Sequence, residues 1–181
     1  MKKLLLLLLI LIVLLSCGRG GKELYTAPSR VVPDSFAIGL NLFNKGRAAS
    51  RNSANMDSVL FYMQLAENFF KREGDKAQVN RFIAFIYSSR GMLDEAMPYF
   101  LKASRMANEW QYSSICQEVA KVYAAAGRFR EGVLVMDLIR KNMNDRTVVP
   151  YYHLAKGNLW AGVNEYDSAV TYYLSLIHIS E

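Results

Sequence analysis

The chain has 181 residues, 52% of them hydrophobic and 21% charged, with 22 Lys and Arg against 16 Asp and Glu. That length accommodates one domain of ordinary size and the apolar fraction supplies a buried core, which excludes a disordered or purely linking chain. Two cysteines cannot staple a disulfide scaffold, and a formal charge of +6 without a basic run interleaved with aromatics argues against nucleic acid as a partner.

The first predicted element is a leader. Met1-Lys2-Lys3 is a cationic head, residues 4–15 are apolar without interruption, and Ser16-Cys17 follows, which is the layout of a secretory signal. A membrane-spanning helix takes about 20 apolar residues, so this run is short for a transmembrane anchor. Leu14-Leu15-Ser16-Cys17 resembles the lipobox of bacterial lipoproteins, where a small residue precedes the cysteine that is acylated and becomes the new N-terminus. The resemblance implies a signal peptide over 1–16, lipid on Cys17, and a mature chain held at a membrane of the cell envelope, periplasmic or at the cell surface. Multiple acyl chains anchor a protein stably where one does not. An ordinary cleaved signal with a nearby cysteine is the other reading. Loss of Lys2 and Lys3 takes the formal charge from +6 to about +4, and lipidation leaves Cys116 without an intrachain disulfide partner.

Residues 17–33 contain the lipidated cysteine and then "GRGGKELYTAPSRVVP", glycine-rich, charged and without helical or strand period. They read as a flexible tether. "GRGGK" lacks the glycine spacing and the Ser/Thr of a phosphate loop, and no strand precedes it.

From Asp34, an N-cap candidate, the pattern turns helical. "VNRFIAFIYSSRGMLDEAMPYFLKASRMA", "SICQEVAKVYAAAGRFREGVLVMDLIRKN" and "YYHLAKGNLWAGVNEYDSAVTYYL" align with Ala84, Ala120 and Gly157 in one column and Tyr87, Tyr123 and Trp160 in the next. Ala96, Gly132 and Ala169 form a third column, and Phe100, Met136 and Tyr173 a fourth. Small residues admit close helix approach and aromatics fill the space beside them. Gly91 and Gly127, with Asn164 at the corresponding place, suit a left-handed turn between two helices. A degenerate leading repeat pairs "FAIGLNLF" with "MDSVLFYMQLAENFFKREGD" around a polar insertion, "NKGRAASRNSAN". Pro98 is expected to kink its helix or push the helix start downstream.

This register resembles the tetratricopeptide repeat family, most closely in Ile83-Ala84, Tyr87, Gly91, Ala96, Phe100 and Ala103. The departures are a spacing longer than the usual ~34 residues, missing terminal prolines, and Gly132 where alanine is usual. The resemblance implies an all-α fold, an α-solenoid of antiparallel helix pairs over 34–173, with about three to four repeats. The closing octapeptide, 174–181 ("LSLIHISE"), resembles the conceptual translation of a transposon-end sequencing adapter. That implies that 174–181 is not native and that the repeat domain is truncated; a genuine helical or β-prone tail is the alternative. The last helix would then lack a neighbour and expose its apolar face.

No catalytic residue, cofactor or metal is expected. Cys116 and His153 share a register position, but a buried apolar cysteine and a packing histidine explain them without a third orienting group. Asp94, Glu95, Glu165 and Asp167 fit helix starts. Function is expected on the inner surface of the stacked first helices, where such folds bind protein segments. Its predicted lining is Gln78, Arg81, Phe85 and Ser88, then Gln117, Lys121 and Ala124, then Tyr151, Leu154 and Asn158. Arg81 and Lys121 would make this groove modestly positive. The expected function is a non-enzymatic, membrane-anchored scaffold with a protein or peptide partner in the groove. Two alternatives are an exported sensor portion of a longer regulator, and a glycan-binding outer-membrane lipoprotein that uses Tyr151.

Overall fold

A computed structural model describes residues 34–51, 55–140 and 149–178. The predicted leader 1–16, Cys17, the tether to residue 33, and 179–181 of the closing octapeptide lie outside the described residues.

Among the described residues the protein is all-α, with eight helices and no strand. They are α1 (Ser35–Arg51), α2 (Met56–Phe69), α3 (Glu73–Ser89), α4 (Leu93–Met106), α5 (Glu109–Ala125), α6 (Phe129–Arg140), α7 (Val149–Gly162) and α8 (Tyr166–His178). No helix among the described residues is long and apolar enough to cross a membrane.

The helix starts follow local chemistry. The Phe36 N–H donates to Asp34 Oδ1 at 3.3 Å, so Asp34 caps α1 as expected. Asn108 and Gln111 form a reciprocal capping box at α5. The Gln111 side chain also donates to the Gly74 carbonyl at 2.7 Å, fastening the start of α5 to the start of α3.

The helix ends repeat one device three times. The Met92 N–H donates to the Tyr87 carbonyl at 3.0 Å, Arg128 to Tyr123 at 2.9 Å, and Glu165 to Trp160 at 3.1 Å. Each bond spans five residues across a left-handed residue: Gly91 at φ 77°, Gly127 at φ 70° and Asn164 at φ 62°. This is the bond pattern of a Schellman C-terminus, and only glycine or asparagine takes its left-handed position at low cost. The accepting residues are the Tyr87, Tyr123 and Trp160 column of the sequence alignment, spaced by 36 and then 37 residues.

Two expectations are corrected. The polar stretch after Phe43 is not an insertion between helices, because α1 runs through it to Arg51. Gly39 and Gly46 of α1 are buried, and a Cβ on them would lie 2.9 Å from the Phe70 ring and 2.6 Å from the Met63 methyl. Glycine therefore carries this contact, where the apolar period looks for large side chains. Seven residues forward on α1 correspond to seven back toward Met63, so α1 and α2 run antiparallel. Pro98, likewise, does not delay its helix: α4 starts at Leu93, and Pro98 sits inside it. The Met92 N–H is already bonded to Tyr87, which closes the preceding turn and frees the chain to enter α4 immediately. Pro98 then forfeits one intrahelical bond, to the Asp94 carbonyl.

Each helix packs on its chain neighbour; α3, α5 and α7 also pack in succession, and α4 packs on α6. One core cluster contains Phe100, Tyr112, Ile115, Tyr123, Met136, Ile139 and Leu159, all close to fully buried. A second joins Val59, Met63, Ala66 and Phe70 to Val79 and Ile83. The aligned small residues Ala84, Ala120, Gly157, Ala96, Gly132 and Ala169 are all buried, at the helix crossings. The last described helix, α8, continues through Leu174 to His178 and leaves Tyr166, Val170, Leu174 and Ile177 exposed.

Candidate binding face

Helices α3, α5 and α7 supply the residues that the sequence places on a binding surface, and these residues line clefts in which α1 also takes part. Gln78, Arg81 and Phe85 of α3 meet Phe43 and Arg47 of α1, with Phe82, around a cleft of about 320 Å³. Gln117, Lys121 and Ala124 of α5 meet Leu154 and Asn158 of α7 around a second cleft of about 440 Å³, floored by Ala120 and Ala155. Tyr151 is separated from that group. It lines a third cleft of about 360 Å³ with Asn108, Glu109, Trp110 and Ser113, at the start of α5. These volumes are at the small end for ligand clefts, ~300–1,000 Å³, which suits single side chains or sugar rings better than a folded element. Ser88 turns back on its own helix, its hydroxyl donating to the Ala84 carbonyl at 2.9 Å.

The electrostatics differ from the sequence expectation. Arg81 Nε lies 3.4 Å from Glu118 Oε1, and its guanidinium sits over the Trp110 ring at 5.8 Å. Both partners of the ion pair are more than two-thirds covered. Burial pushes the Glu118 carboxyl above its ordinary range, and Arg81 and Lys121 pull it only part of the way back. Arg81 is thus matched by a carboxylate one helix away, and the positive character expected from Arg81 and Lys121 reduces to Lys121. Exposed Arg47 adds a cation that the sequence reading had assigned to an insertion. Asn158 Oδ1 accepts from the Tyr173 hydroxyl at 2.8 Å, so its amide nitrogen is the group left for a partner.

Sequence reasoning also missed a buried polar cluster linking α6, α7 and α8. Lys156 is 5% exposed and donates to Asp137 and to the Tyr152 hydroxyl, which itself donates to Asp137 at 2.7 Å. Burial alone would lower the Lys156 pKa; hydrogen bonds to Asp137, Tyr172 and Tyr152 outweigh it and hold the ammonium above its usual value. Its Nζ also lies 4.8 Å from the Tyr172 ring centroid. His153 packs on the same rings, 5.3 Å from Tyr152 and 5.6 Å from Tyr172. Burial first, then Arg140 and Lys156, lower its pKa. Cys116 is fully buried in α5, and burial pushes its thiol up to about 12. It is therefore a neutral thiol at ordinary pH, unsuited to nucleophilic attack.

No protein-family model matches the chain, and no curated protein is significantly similar to it. What the surface can do is therefore read from its own chemistry. It offers half-exposed aromatic rings, carboxamides and two cations without ion pairs among the described residues, Arg47 and Lys121, arranged along successive helices.

Proposed function

We propose that this chain is a lipid-anchored protein of the bacterial cell envelope, an α-solenoid of tetratricopeptide-like helix pairs that binds a segment of another protein and performs no chemistry itself. The observation that supports it most is the gathering of separately predicted residues into clefts between successive odd helices: Gln78, Arg81 and Phe85 in one, Gln117, Lys121, Leu154 and Asn158 in the next. The thrice-repeated helix end at Tyr87, Tyr123 and Trp160 supports the repeat reading. The anchor rests on the lipobox-like residues before Cys17.

The test is site-specific cross-linking of the full chain in a bacterium that processes lipoproteins. A photoreactive residue at Lys121 should give a discrete adduct, and one at Leu134, exposed on α6, should not. Adducts at Leu134 alone, or at neither position, sink the reading. Metabolic labelling with an alkyne fatty acid should mark the chain and be lost in Cys17→Ala.

A second reading, glycan binding, has one observation in its favour. Trp110 is 67% exposed and Tyr151 39% exposed at one cleft beside Asn108, Glu109 and Ser113. Aromatic faces with carboxamide and carboxylate neighbours suit a sugar ring. Retardation in gels containing soluble xylan, dextran or laminarin, abolished by Trp110→Ala and Tyr151→Ala without loss of helicity, would establish it.

A further inference from the structure

We propose that the bound segment is extended and acidic and carries one aromatic side chain, which enters the α1–α3 cleft while neighbouring carboxylates meet Arg47 and Lys121. This rests on the protein-binding reading above and names the partner's chemistry.

The aromatic anchor follows from the cleft wall. Phe43 and Phe82 stand edge to face at 5.6 Å, and Phe82 and Phe85 are 6.4 Å apart. Phe43 and Phe82 are half-covered, whereas Phe85 is 49% exposed. A further ring laid against Phe85 extends a row in which Phe43 and Phe82 already meet edge-on, a geometry that aromatic quadrupoles favour, and Phe82 and Phe85 are tilted. The space of about 320 Å³ admits one large side chain and little more. Buried aromatic anchors of this kind carry most of the energy of an interface.

The acidity follows from what the linings contain. Neither the α1–α3 cleft nor the α5–α7 cleft has a carboxylate in its lining. The clefts at the helix ends do, with Asp34 and Asp75 in one and Glu109 in another. Glu118 is occupied by Arg81. Exposed Arg47 and Lys121 have no ion pair among the described residues. A basic segment would meet two like charges here, whereas an acidic one is steered to the face and fixed in register. Gln78, Gln117 and Asn158 provide carboxamides along the same path for the backbone of an extended chain.

The experiment is selection of random peptides of about 12 residues on the immobilised full chain, followed by fluorescence anisotropy with the recovered sequences. The expected consensus is one Phe, Tyr or Trp among Asp and Glu. Affinity should weaken with added salt and fall about tenfold in Phe85→Ala. Arg47→Glu, at an exposed site that leaves the core intact, should weaken binding similarly and flatten the salt dependence. A basic or aromatic-free consensus overturns the inference, as does binding unchanged in Arg47→Glu. If no peptide is recovered while cross-linking at Lys121 persists, the inference fails and the protein-binding reading survives. If both are absent, both fail. Concentration-dependent dimers that exclude the peptides would assign the face to a second copy and overturn it as well.

Discussion

Gly132 stands where the tetratricopeptide-like register places alanine, and Gly132→Ala separates that pattern from the geometry of this chain. An added Cβ would lie 2.8 Å from the Tyr123 Cβ and 2.9 and 3.2 Å from the two Leu159 methyls. Carbon atoms in contact settle near 3.5–4.0 Å, so the overlap with the Tyr123 Cβ is about 0.7–1.2 Å. Leu159 can turn aside, but the Tyr123 Cβ is fixed to the α5 backbone, and α5 and α6 must part. Overpacking of this kind costs ~1–3 kcal/mol. Alanine in a helix interior returns about 1 kcal/mol relative to glycine. The net expectation is a loss of ~0–2 kcal/mol and a fall in Tm of up to ~8 °C for a domain of this size. Thermal and urea denaturation followed by far-UV circular dichroism would measure it. Leu159→Ala in the same background should not restore the Tm, because the Tyr123 contact remains. A higher Tm in Gly132→Ala would refute the argument and show that α5 and α6 have slack the contact distances do not reveal.

Asn164→Ala should cost ~1 kcal/mol in urea denaturation, because a Cβ-bearing residue without a short polar side chain pays for φ 62°; Asn164→Gly should be close to neutral. His153 is held neutral by burial and by Arg140 and Lys156, so its folded pKa is lowered. The stability this contributes is complete above the ordinary histidine pKa near 6.5 and is lost as pH falls below it. Tm should therefore drop more steeply between pH 7 and 5 in the parent than in His153→Gln, and parallel curves would count against this. Arg81→Ala leaves the covered Glu118 carboxylate without its partner and should cost ~1–3 kcal/mol, whereas Arg81→Met combined with Glu118→Leu should recover most of the loss. Tyr152→Phe removes a hydroxyl shared by Asp137 and Lys156 and should cost about 1 kcal/mol by the same assay.

Much of the helical content was legible because backbone demands leave local traces. Gly91, Gly127 and Asn164 are the residues that tolerate a left-handed turn, and all three occupy one. The aligned alanines and glycines mark crossings where no larger side chain fits, and each is buried. What escaped is the second half of α1, after Phe43, where the same logic has no apolar period to accompany it. Across α1 the close approaches include Gly39 on Phe70 and Gly46 on Met63, seven residues apart, and the second lies in the polar run that follows Phe43. Read for large apolar residues, the part of α1 after Phe43 looks like an insertion; read for small residues at helical spacing, Gly46 continues the edge begun at Gly39. Pro98 has two expected effects, of which the delayed helix start does not occur. Its cost is one hydrogen bond, and a chain already committed to the helix by the closed turn at Met92 can bear it.

The clefts between the odd helices gather several of the residues expected together, while Tyr151 lies apart and the charge differs from expectation. Helical periodicity fixes the direction of a side chain, so Gln78, Arg81 and Phe85 share one cleft and Gln117, Lys121 and Asn158 another. Periodicity is silent on what the neighbouring helix offers in return. Arg81 meets Glu118 and Trp110, both on α5, and these contacts turn a presumed recognition cation into an internal fastening between α3 and α5. The cation that remains near the Phe85 cleft, Arg47, comes from the second half of α1, which the sequence reading took for an insertion. A field cannot be summed from the charges of one helix face: only charges without an internal partner remain to select a ligand. On that criterion, reversing Arg47 should reduce acidic-peptide binding more than reversing Arg81, provided the Arg81→Glu variant stays folded against Glu118.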